Sequence, residues 1–318
     1  MNDGPPPPSA LRKWITAARP WSLPASTMPV IFGTSLAVVM GGARLAPFRF
    51  LLALLAMMIL HSAANMLSDV FDFRRGLDRD VTPVSGAVVR GWLSARQVAA
   101  GSVILFAAGI AIGLWLAKIT GPVLLCVGGV GVAIGAGYAF LKARALGDLA
   151  VFLNFGLLGA LGAWIVQTGR FSWLPVVWTV PMAMLVAAIL HANNWRDSVS
   201  DSGLRVFTTA YRLGDRGSLA YYGVLLFGSM ALILLFMAVP RIVDVAAPAL
   251  PETSLLVLAA LPRALVLWKR ALRRHAPEKP MDFVILDGAT ASYNLLFGLL
   301  CTAALWLHAA IAALGGRG

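Results

Sequence analysis

Nine long apolar stretches, separated by short polar segments, run along the chain from residue 22 to residue 312. They are rich in Leu, Ala, Val and Gly, and their apolar residues do not alternate with a period of two, so the pattern favours helices over barrel strands. A helix needs about 20 residues to cross a hydrocarbon core that is ~30 Å thick. The predicted spans are 22–42, 48–68, 97–117, 120–140, 149–168, 174–195, 218–239, 253–270 and 288–312. We therefore expect an all-α integral membrane protein with nine transmembrane helices.

The basic residues predict the orientation of these spans. If the N-terminus lies in the cytoplasm, 20 of the 26 Lys and Arg residues fall in segments on the cytoplasmic side. Such an excess is what the positive-inside rule describes. An even number of spans would break this alternation, so we predict nine spans with a cytoplasmic N-terminus.

Composition agrees with a membrane protein and limits its partners. Of 318 residues, 59% are hydrophobic and 13% are charged, whereas a soluble domain carries about 25% charged residues. The net charge of +12 follows from the topology, with the headgroups of the lipid bilayer as its partner, so no nucleic acid partner is expected. Cys126 and Cys301 lie within apolar spans, and we interpret both as core residues. We predict one transmembrane domain over 13–318 after a disordered proline-rich tail over 1–12.

Acidic residues are scarce, with 14 in the chain, and they concentrate in two segments that each end an apolar span on the predicted cytoplasmic side. In each segment an Asn precedes an Asp by four residues, so the polar side chains share one face of a helix. The first set is Asn65, Asp69 and Asp72, and the second set is Asn193, Asp197 and Asp201. We call these sets the first and second Asp motifs.

Neighbouring carboxylates repel one another, and an acid near the centre of a membrane helix costs about 2.5–3.5 kcal/mol. A bound divalent cation removes that repulsion. Oxygen ligands without a Cys or His cluster favour Mg²⁺, which proteins hold by one or two carboxylates together with phosphate oxygens. Two facing motifs would hold a diphosphate between two metal ions. The alternative is that these acids only end the helices and balance nearby Arg residues.

The ordered motifs resemble those of the UbiA superfamily of intramembrane aromatic prenyltransferases. The resemblance covers Arg19 to Gly298 and is greatest to the branch that prenylates 1,4-dihydroxy-2-naphthoate in menaquinone synthesis. Its best-matching parts are Arg19-Pro20-Trp-Ser-Leu-Pro24, Ser68-Asp69-Val-Phe-Asp72-Phe-Arg-Arg-Gly76-Leu-Asp78, Gln167-Thr-Gly, Asn193-Asn194-Trp-Arg196-Asp197-Ser-Val-Ser-Asp201 and Ala210-Tyr-Arg212-Leu-Gly214. Five positions depart from the family pattern. Ser68 replaces an Asn, Gly76 an Asp and Asp148 a Glu, and Val206 and Phe207 replace basic residues before Thr208.

The resemblance implies nine helices around a central cavity and Mg²⁺-dependent transfer from a polyprenyl diphosphate to an aromatic, naphthoate-like acceptor. The implied metal ligands and catalytic carboxylates are Asp69, Asp72, Asp78, Asp197 and Asp201. Asp148 is a candidate for acceptor recognition or base chemistry, on the resemblance alone. We expect the protein in a bacterial cytoplasmic (inner) membrane, with its active site facing the cytoplasm.

Candidate substrate-binding residues surround the two motifs. A diphosphate needs cationic donors, and Arg suits phosphate geometry; each such charge has the alternative role of setting the topology. Tyr138 lies four residues before Lys142 and would orient the acceptor or face the allylic cation, since aromatic rings attract cations. The full set is Arg19, Asn65, Ser68, Tyr138, Lys142, Asn193, Asn194, Arg196 and Arg205.

Several alternatives stay open from the sequence. Hydroxybenzoate, homogentisate or another quinone precursor would be prenylated by the same chemistry. A membrane transporter is a different class of function, although the acids lie at one face rather than in mid-span. His61 and His191 are interpreted as hydrogen-bonded structural residues, with proton removal from the acceptor as their alternative role. Asp287 is interpreted as a helix cap rather than a ligand.

Overall fold

A computed structural model describes residues 8–76, 86–198, 207–242 and 249–315, and every regular element in these ranges is a helix. The α-helices, in chain order, are α1 Ala10–Ala18, α2 Pro24–Val39, α3 Pro47–Arg74, α4 Ala95–Thr120, α5 Val123–Lys142, α6 Gly147–Val151, α7 Gly159–Thr168, α8 Trp173–Trp178, α9 Val180–Asp197, α10 Thr209–Ile242, α11 Leu261–Leu272 and α12 Leu286–Gly315. The 3-10 helices Pro20–Ser22 and Glu252–Ala260 precede α2 and α11, and the π-helix Phe152–Leu158 joins α6 to α7.

Within the described ranges, six helical segments are long and apolar enough to cross a membrane, so the chain is an integral membrane protein. They are α3, α4, α5, the continuous run Gly147–Thr168, α10 and α12. The pair Ala10–Ser22 and Pro24–Val39 would be a seventh span, bent by 54°. All nine predicted segments contain helix, but the count of nine spans and the orientation of the N-terminus are not confirmed.

Two predicted spans, 174–195 and 253–270, are not among the segments that are long and apolar enough to cross a membrane. Each is interrupted or polar. The segment 174–195 divides at Thr179 into α8 and α9, and the end of α9 carries the polar second motif. The segment 253–270 starts as a 3-10 helix and continues as α11, with Pro262 in the first turn of that helix. Proline fits a first helical turn but not an interior, which explains the change of helix type at that point.

The N-terminal helix begins earlier than the sequence suggested. Ser9 caps α1 by accepting a hydrogen bond from the Arg12 amide, and the helix starts at Ala10, inside the range predicted as a tail. Residues 1–7 lie outside the described residues.

Close helix contacts fix the centre of the bundle. A Cβ atom at Gly33 of α2 would lie 2.3 Å from the Ala160 carbonyl oxygen of α7, and one at Gly156 would lie 2.3 Å from the Ala183 Cβ of α9. Only glycine permits this approach, which is how small residues hold membrane helices together. Large buried side chains such as Trp195, Tyr222 and Phe297 fill the space between α9, α10 and α12.

Candidate active site

A cavity of about 220 Å³ lies between α2, α3, α5, α9, α12 and the π-helix. Its polar lining includes six residues that the sequence predicted as substrate-binding. These are Arg19, Asn65, Ser68, Tyr138, Lys142 and Asn193. The remaining walls are largely apolar, for example at Ile134, Phe155 and Val186. We refer to this space as the site cavity.

Both carboxylates of the first motif are buried and paired with cations from other helices. Arg19 Nη2 donates to Asp69 Oδ1 at 2.9 Å, and Lys142 Nζ donates to Asp72 Oδ2 at 2.9 Å. The Ser68 hydroxyl is 3.4 Å from the same Asp72 oxygen. Charge-assisted hydrogen bonds of this kind stabilise the buried carboxylates. They also connect the carboxylates to Arg19 and Lys142, which line the cavity.

Two backbone positions next to these contacts, Arg19 and Gly86, have unusual local geometry. Arg19 adopts a left-handed conformation with φ 53° where α1 ends. A Cβ atom at Gly86 would lie 2.2 Å from Asp69 Oδ1, so a side chain there would displace the carboxylate. The close approach of backbone to carboxylate therefore requires glycine at this position.

Asn65 belongs to a hydrogen-bonded network that joins α3 to the start of α2. Its side-chain amide donates to the Ser22 hydroxyl at 2.9 Å. His61, one turn earlier, is 2.8 Å from the Ser26 hydroxyl through Nδ1 and stacks on Phe155 with ring centroids 4.2 Å apart. His61 is therefore a hydrogen-bonded, packed residue, as predicted from the sequence.

The second motif is organised by a residue that the sequence analysis did not select. Asp287 Oδ2 accepts hydrogen bonds from Arg196 Nη1 at 2.9 Å and from Asn193 Nδ2 at 3.2 Å, and Asp287 lines the site cavity. Arg196 also pairs with its neighbour Asp197 at 2.7 Å and 3.0 Å. Interpreting Asp287 only as a helix cap was incomplete, because its carboxylate connects α12 to α9. Asp287 is one of the few acids in the sequence and lies at the start of an apolar span. This position is the sequence feature that could have marked it as a site residue.

Asp148 and His191 form a buried pair beside the site cavity. His191 Nδ1 and Asp148 Oδ2 are 3.1 Å apart, and both side chains are buried. Within the described part of the chain, His191 Nε2 and Asp148 Oδ1 are buried without a hydrogen-bond partner. The cavity wall is formed by the neighbouring Ala150 and Leu190 instead. Asn194 is likewise buried next to the motif.

Three predicted site residues, Asp78, Asp201 and Arg205, lie outside the described residues. Across 8–76, 86–198, 207–242 and 249–315, no group of three His, Cys, Asp or Glu side chains is placed to hold a metal ion. The described carboxylates of the two motifs are instead engaged by Arg19, Lys142 and Arg196.

Residues 26–286 match the model of the UbiA prenyltransferase family. The chain belongs to this family. It is therefore a prenyltransferase, and the resemblance seen in its motifs is confirmed at the level of the family. The UbiA match includes both Asp motifs and most of the helices that surround the site cavity.

Relatives of this UbiA protein cover most of its length. It is 31% identical over 292 residues to the human UbiA prenyltransferase domain-containing protein 1, covering 90% of this chain and 81% of that protein. A Drosophila melanogaster homologue of that protein is 30% identical over 301 residues, covering 91% and 78%. These relatives do not single out the naphthoate branch, so membership of that branch is not confirmed.

Solved structures share the UbiA fold. A UbiA homologue from Aeropyrum pernix K1 aligns with TM-score 0.62 and 17% identity, over 90% of this chain and 97% of that one. A UbiA homologue from Archaeoglobus fulgidus, solved with dimethylallyl diphosphate and Mg²⁺, aligns with TM-score 0.58 and 17% identity, over 92% and 99%. The same homologue has also been solved with Cd²⁺. At these identities the structures show a common fold.

Proposed function

We propose that this prenyltransferase transfers an isoprenyl group from a polyprenyl diphosphate to an aromatic acceptor, with 1,4-dihydroxy-2-naphthoate of menaquinone synthesis as the acceptor. The bond between the first donor carbon and the diphosphate oxygen breaks, and its electron pair leaves with the diphosphate. The allylic cation then forms a carbon–carbon bond with a ring carbon of the acceptor, and that carbon loses its proton.

One observation carries this proposal: side chains from both Asp motifs meet at one cavity, together with cations. Asp69 and Asp72 pair with Arg19 and Lys142, and Asn193 lines the opposite side next to Asp287. We take this convergence of cations and acids at a cavity with apolar walls as support for a diphosphate site rather than a transport pathway.

The oxygen ligands that the two motifs offer are of the type that suits a hard divalent cation. The candidates are carboxylate oxygens of Asp69, Asp72 and Asp197, with amide oxygens nearby, and Mg²⁺ prefers such oxygen ligands. Asp78 and Asp201, outside the described residues, are the other proposed ligands. When bound, Mg²⁺ would neutralise the negative charge that develops on the leaving diphosphate.

We assign Arg19 and Lys142 to binding of the diphosphate itself. Both line the site cavity, and each holds a motif carboxylate at 2.9 Å. The buried Arg19 Nε meets no hydrogen-bond partner among the described residues, so this guanidinium has a donor left for an anion. Arg is well suited to phosphate because its planar group donates two parallel hydrogen bonds. Arg196 and Arg205 are proposed as further diphosphate contacts.

The cavity walls protect the allylic cation once it has formed. Tyr138 lines the cavity between the polar end and the apolar walls, and an aromatic face attracts a cation within about 6 Å. Ile134, Phe155 and Val186 exclude water, which would otherwise capture the cation. Asn65, Ser68, Asn193 and Asn194 are proposed to orient the substrates.

The acceptor assignment rests on the sequence, namely the Gly76-Leu-Asp78 continuation of the first motif and the Asn193-Asn194-Trp-Arg196-Asp197 segment. Hydroxybenzoate and homogentisate are the competing acceptors. We propose a bacterial cytoplasmic membrane as the location, with the site on the cytoplasmic face, because the excess of Lys and Arg predicts that side.

The test is transfer of a radiolabelled prenyl group by purified protein in detergent with Mg²⁺, across a panel of aromatic acceptors. Product with 1,4-dihydroxy-2-naphthoate alone is the expected result. Product with another acceptor would reassign the substrate within the family. The absence of product with every acceptor, from protein shown to be folded, would contradict the proposal.

A further inference from the structure

Arg274, two residues after the end of α11, lies at the centre of a cluster that does not line the site cavity. Only 8% of its side chain is exposed, although it carries a charge. Its Nε pairs with Asp215 of α10 at 2.8 Å, and its guanidinium lies 5.2 Å and 5.0 Å from the ring centroids of Trp195 and Phe283. A carboxylate and two aromatic faces therefore hold this cation in place.

Two other nitrogens of Arg274 reach the end of α9, on both sides of Asp197. Nη1 donates to the Trp195 carbonyl oxygen, and Nη2 donates to the Ser198 hydroxyl at 3.1 Å. The last carbonyls of a helix have no partner within the helix, and an Arg at that end satisfies one of them and interacts favourably with the helix dipole. Asp197 is the last residue of α9, so these contacts act on the turn that carries this motif carboxylate.

Asp215 connects these contacts to α10. Its Oδ1 accepts from Arg274 Nε and from Trp195 Nε1, each at 2.8 Å. The preceding residue, Gly214, interrupts the helical geometry of α10 with φ 61° and ψ −176°, a conformation that is essentially confined to glycine. We call the contacts of Arg274 with Asp215, Trp195 and Ser198 the Arg274 clamp. The clamp joins the ends of α9 and α11 to the start of α10.

We propose that Arg274 is a positioning residue for the second Asp motif, because its clamp holds the last turn of α9 in the geometry in which Asp197 contributes to metal and diphosphate binding. This inference rests on the proposed function, since it concerns the same site. On its other side, the same turn is tied to α12 by the hydrogen bond from Arg196 to Asp287. The turn is thus held from two directions, and Arg274 supplies one of them.

The sign of the expected effect separates positioning from charge. Arg274 is a cation whose contacts flank Asp197 on both sides. Because like charges repel, the loss of this positive charge by itself would favour the binding of a metal cation. If the clamp positions Asp197, the loss of Arg274 weakens metal binding instead. Removal of a residue that orients a metal ligand typically lowers metal affinity by about 10- to 100-fold.

The test measures binding of radiolabelled inorganic diphosphate by equilibrium dialysis across a series of Mg²⁺ concentrations. Wild type, Arg274→Ala and Arg274→Lys are compared in detergent. We expect the Mg²⁺ concentration for half-maximal binding to rise by roughly tenfold or more in Arg274→Ala. Arg274→Lys keeps the charge but loses the planar guanidinium and its several donors, so we expect a smaller rise.

Arg273→Ala is the matched control. Arg273 is the neighbouring residue, and its half-exposed guanidinium pairs with Glu278 at 2.6 Å. The substitution removes the same charge from the same end of α11 and leaves the clamp in place, so we expect the Mg²⁺ requirement of wild type. Thermal unfolding is measured for every variant. A role of Arg274 in stability alone would lower the unfolding temperature and the amount of binding protein, but it would not shift the Mg²⁺ concentration for half-maximal binding.

Two outcomes would overturn the inference. The first is a wild-type Mg²⁺ requirement in Arg274→Ala. The second is an equal rise in Arg273→Ala, since the effect would then not depend on the clamp. If Arg274→Ala does not fold, Arg274→Lys decides the question, because a raised Mg²⁺ requirement supports the clamp and a wild-type requirement contradicts it.

Diphosphate binding requires no acceptor, so this test separates the inference from the proposed function. If wild type binds diphosphate with Mg²⁺, the clamp variants shift the Mg²⁺ requirement and no acceptor gives product, the clamp is supported and only the transfer proposal fails. If transfer is observed and the Mg²⁺ requirement of Arg274→Ala is that of wild type, only the clamp fails. The absence of Mg²⁺-dependent diphosphate binding in wild type would overturn the clamp together with the proposed metal site.

Discussion

Arg196 donates a hydrogen bond to Asp287 across 2.9 Å, although the two residues are 91 positions apart in the chain. The contact ties the end of α9, which carries the second Asp motif, to the first turn of α12. Asn193 donates to the same Asp287 oxygen at 3.2 Å. One carboxylate therefore sets the positions of Asn193 and Arg196 at the edge of the site cavity.

Substituting Asp287 should impair transfer without unfolding the protein. In Asp287→Asn the charge that holds Arg196 is lost, and we expect kcat/KM to fall by roughly 10- to 100-fold, the usual effect of removing a residue that orients a site. Steady-state kinetics with the prenyl donor would measure this. Asp282→Asn is the control, since Asp282 accepts a hydrogen bond from the Lys279 amide in an exposed loop. Wild-type kinetics in Asp287→Asn would show that the contact is dispensable.

The first motif should tolerate no loss of its carboxylates. We expect Asp69→Asn and Asp72→Asn each to lower the transfer rate by at least roughly 100-fold, because each removes negative charge from the proposed metal site. Radiolabel transfer gives the rate, and elution as a single species in detergent shows that the protein is folded. Activity near wild type in either variant would exclude that carboxylate from the metal site.

Removal of the divalent cation should abolish transfer reversibly. Excess EDTA should eliminate product formation, and added Mg²⁺ should restore it, since the proposed diphosphate site needs a cation to stabilise the leaving group. Isothermal titration with Mg²⁺ in the presence of diphosphate offers a readout that does not depend on turnover. A full rate in EDTA would contradict a metal-dependent mechanism.

Gly86 should be required for the geometry of Asp69. A methyl group at this position would lie 2.2 Å from the carboxylate oxygen, so Gly86→Ala must move Asp69 or the backbone. A misplacement of about 1 Å at a reacting site costs on the order of 100-fold in rate. Gly137→Ala provides the matched control with open space around the new methyl group. Equal rates in the two variants would show that Asp69 adapts without consequence.

The sequence predicted much of this molecule because its strongest signals are local. Apolar stretches of about 20 residues indicate membrane helices by length alone, and the spacing of Asn65, Asp69 and Asp72 places them on one helical face. Arg19 and Lys142 were predicted from their type and side of the membrane. Their partners, Asp69 and Asp72, could not be assigned, because each pair joins residues 50 or 70 positions apart.

Other features depend on tertiary contacts that no periodicity reveals. Asp287 looked like a helix cap because its sequence neighbours are a helix start, whereas its role comes from the side chains of α9 that lie across from it. The close helix contacts at Gly33 and Gly156 likewise depend on which helices face these glycines. The spacing of glycines along the sequence does not show which neighbour each one meets.

The buried pair of Asp148 and His191 is expected to support the fold rather than the chemistry. Both side chains are buried at 3.1 Å from each other, and the described wall of the site cavity is formed by Ala150 and Leu190 at this place. His191→Ala leaves a buried carboxylate without its partner, which should lower stability by about 1–3 kcal/mol. Thermal unfolding in detergent would measure the change.

Asp148→Asn separates this structural role from base catalysis. The amide oxygen can still accept a hydrogen bond from His191, so we expect near-wild-type thermal stability and most of the transfer activity to remain. A general base must reach the proton that it removes within about 3.2 Å, directly or through one water. At this place Ala150 and Leu190, rather than Asp148, line the cavity. Loss of transfer in a variant of unchanged stability would instead assign Asp148 to acceptor deprotonation or recognition. The two measurements together therefore decide between the sequence-based role of this acid and the one that its burial favours.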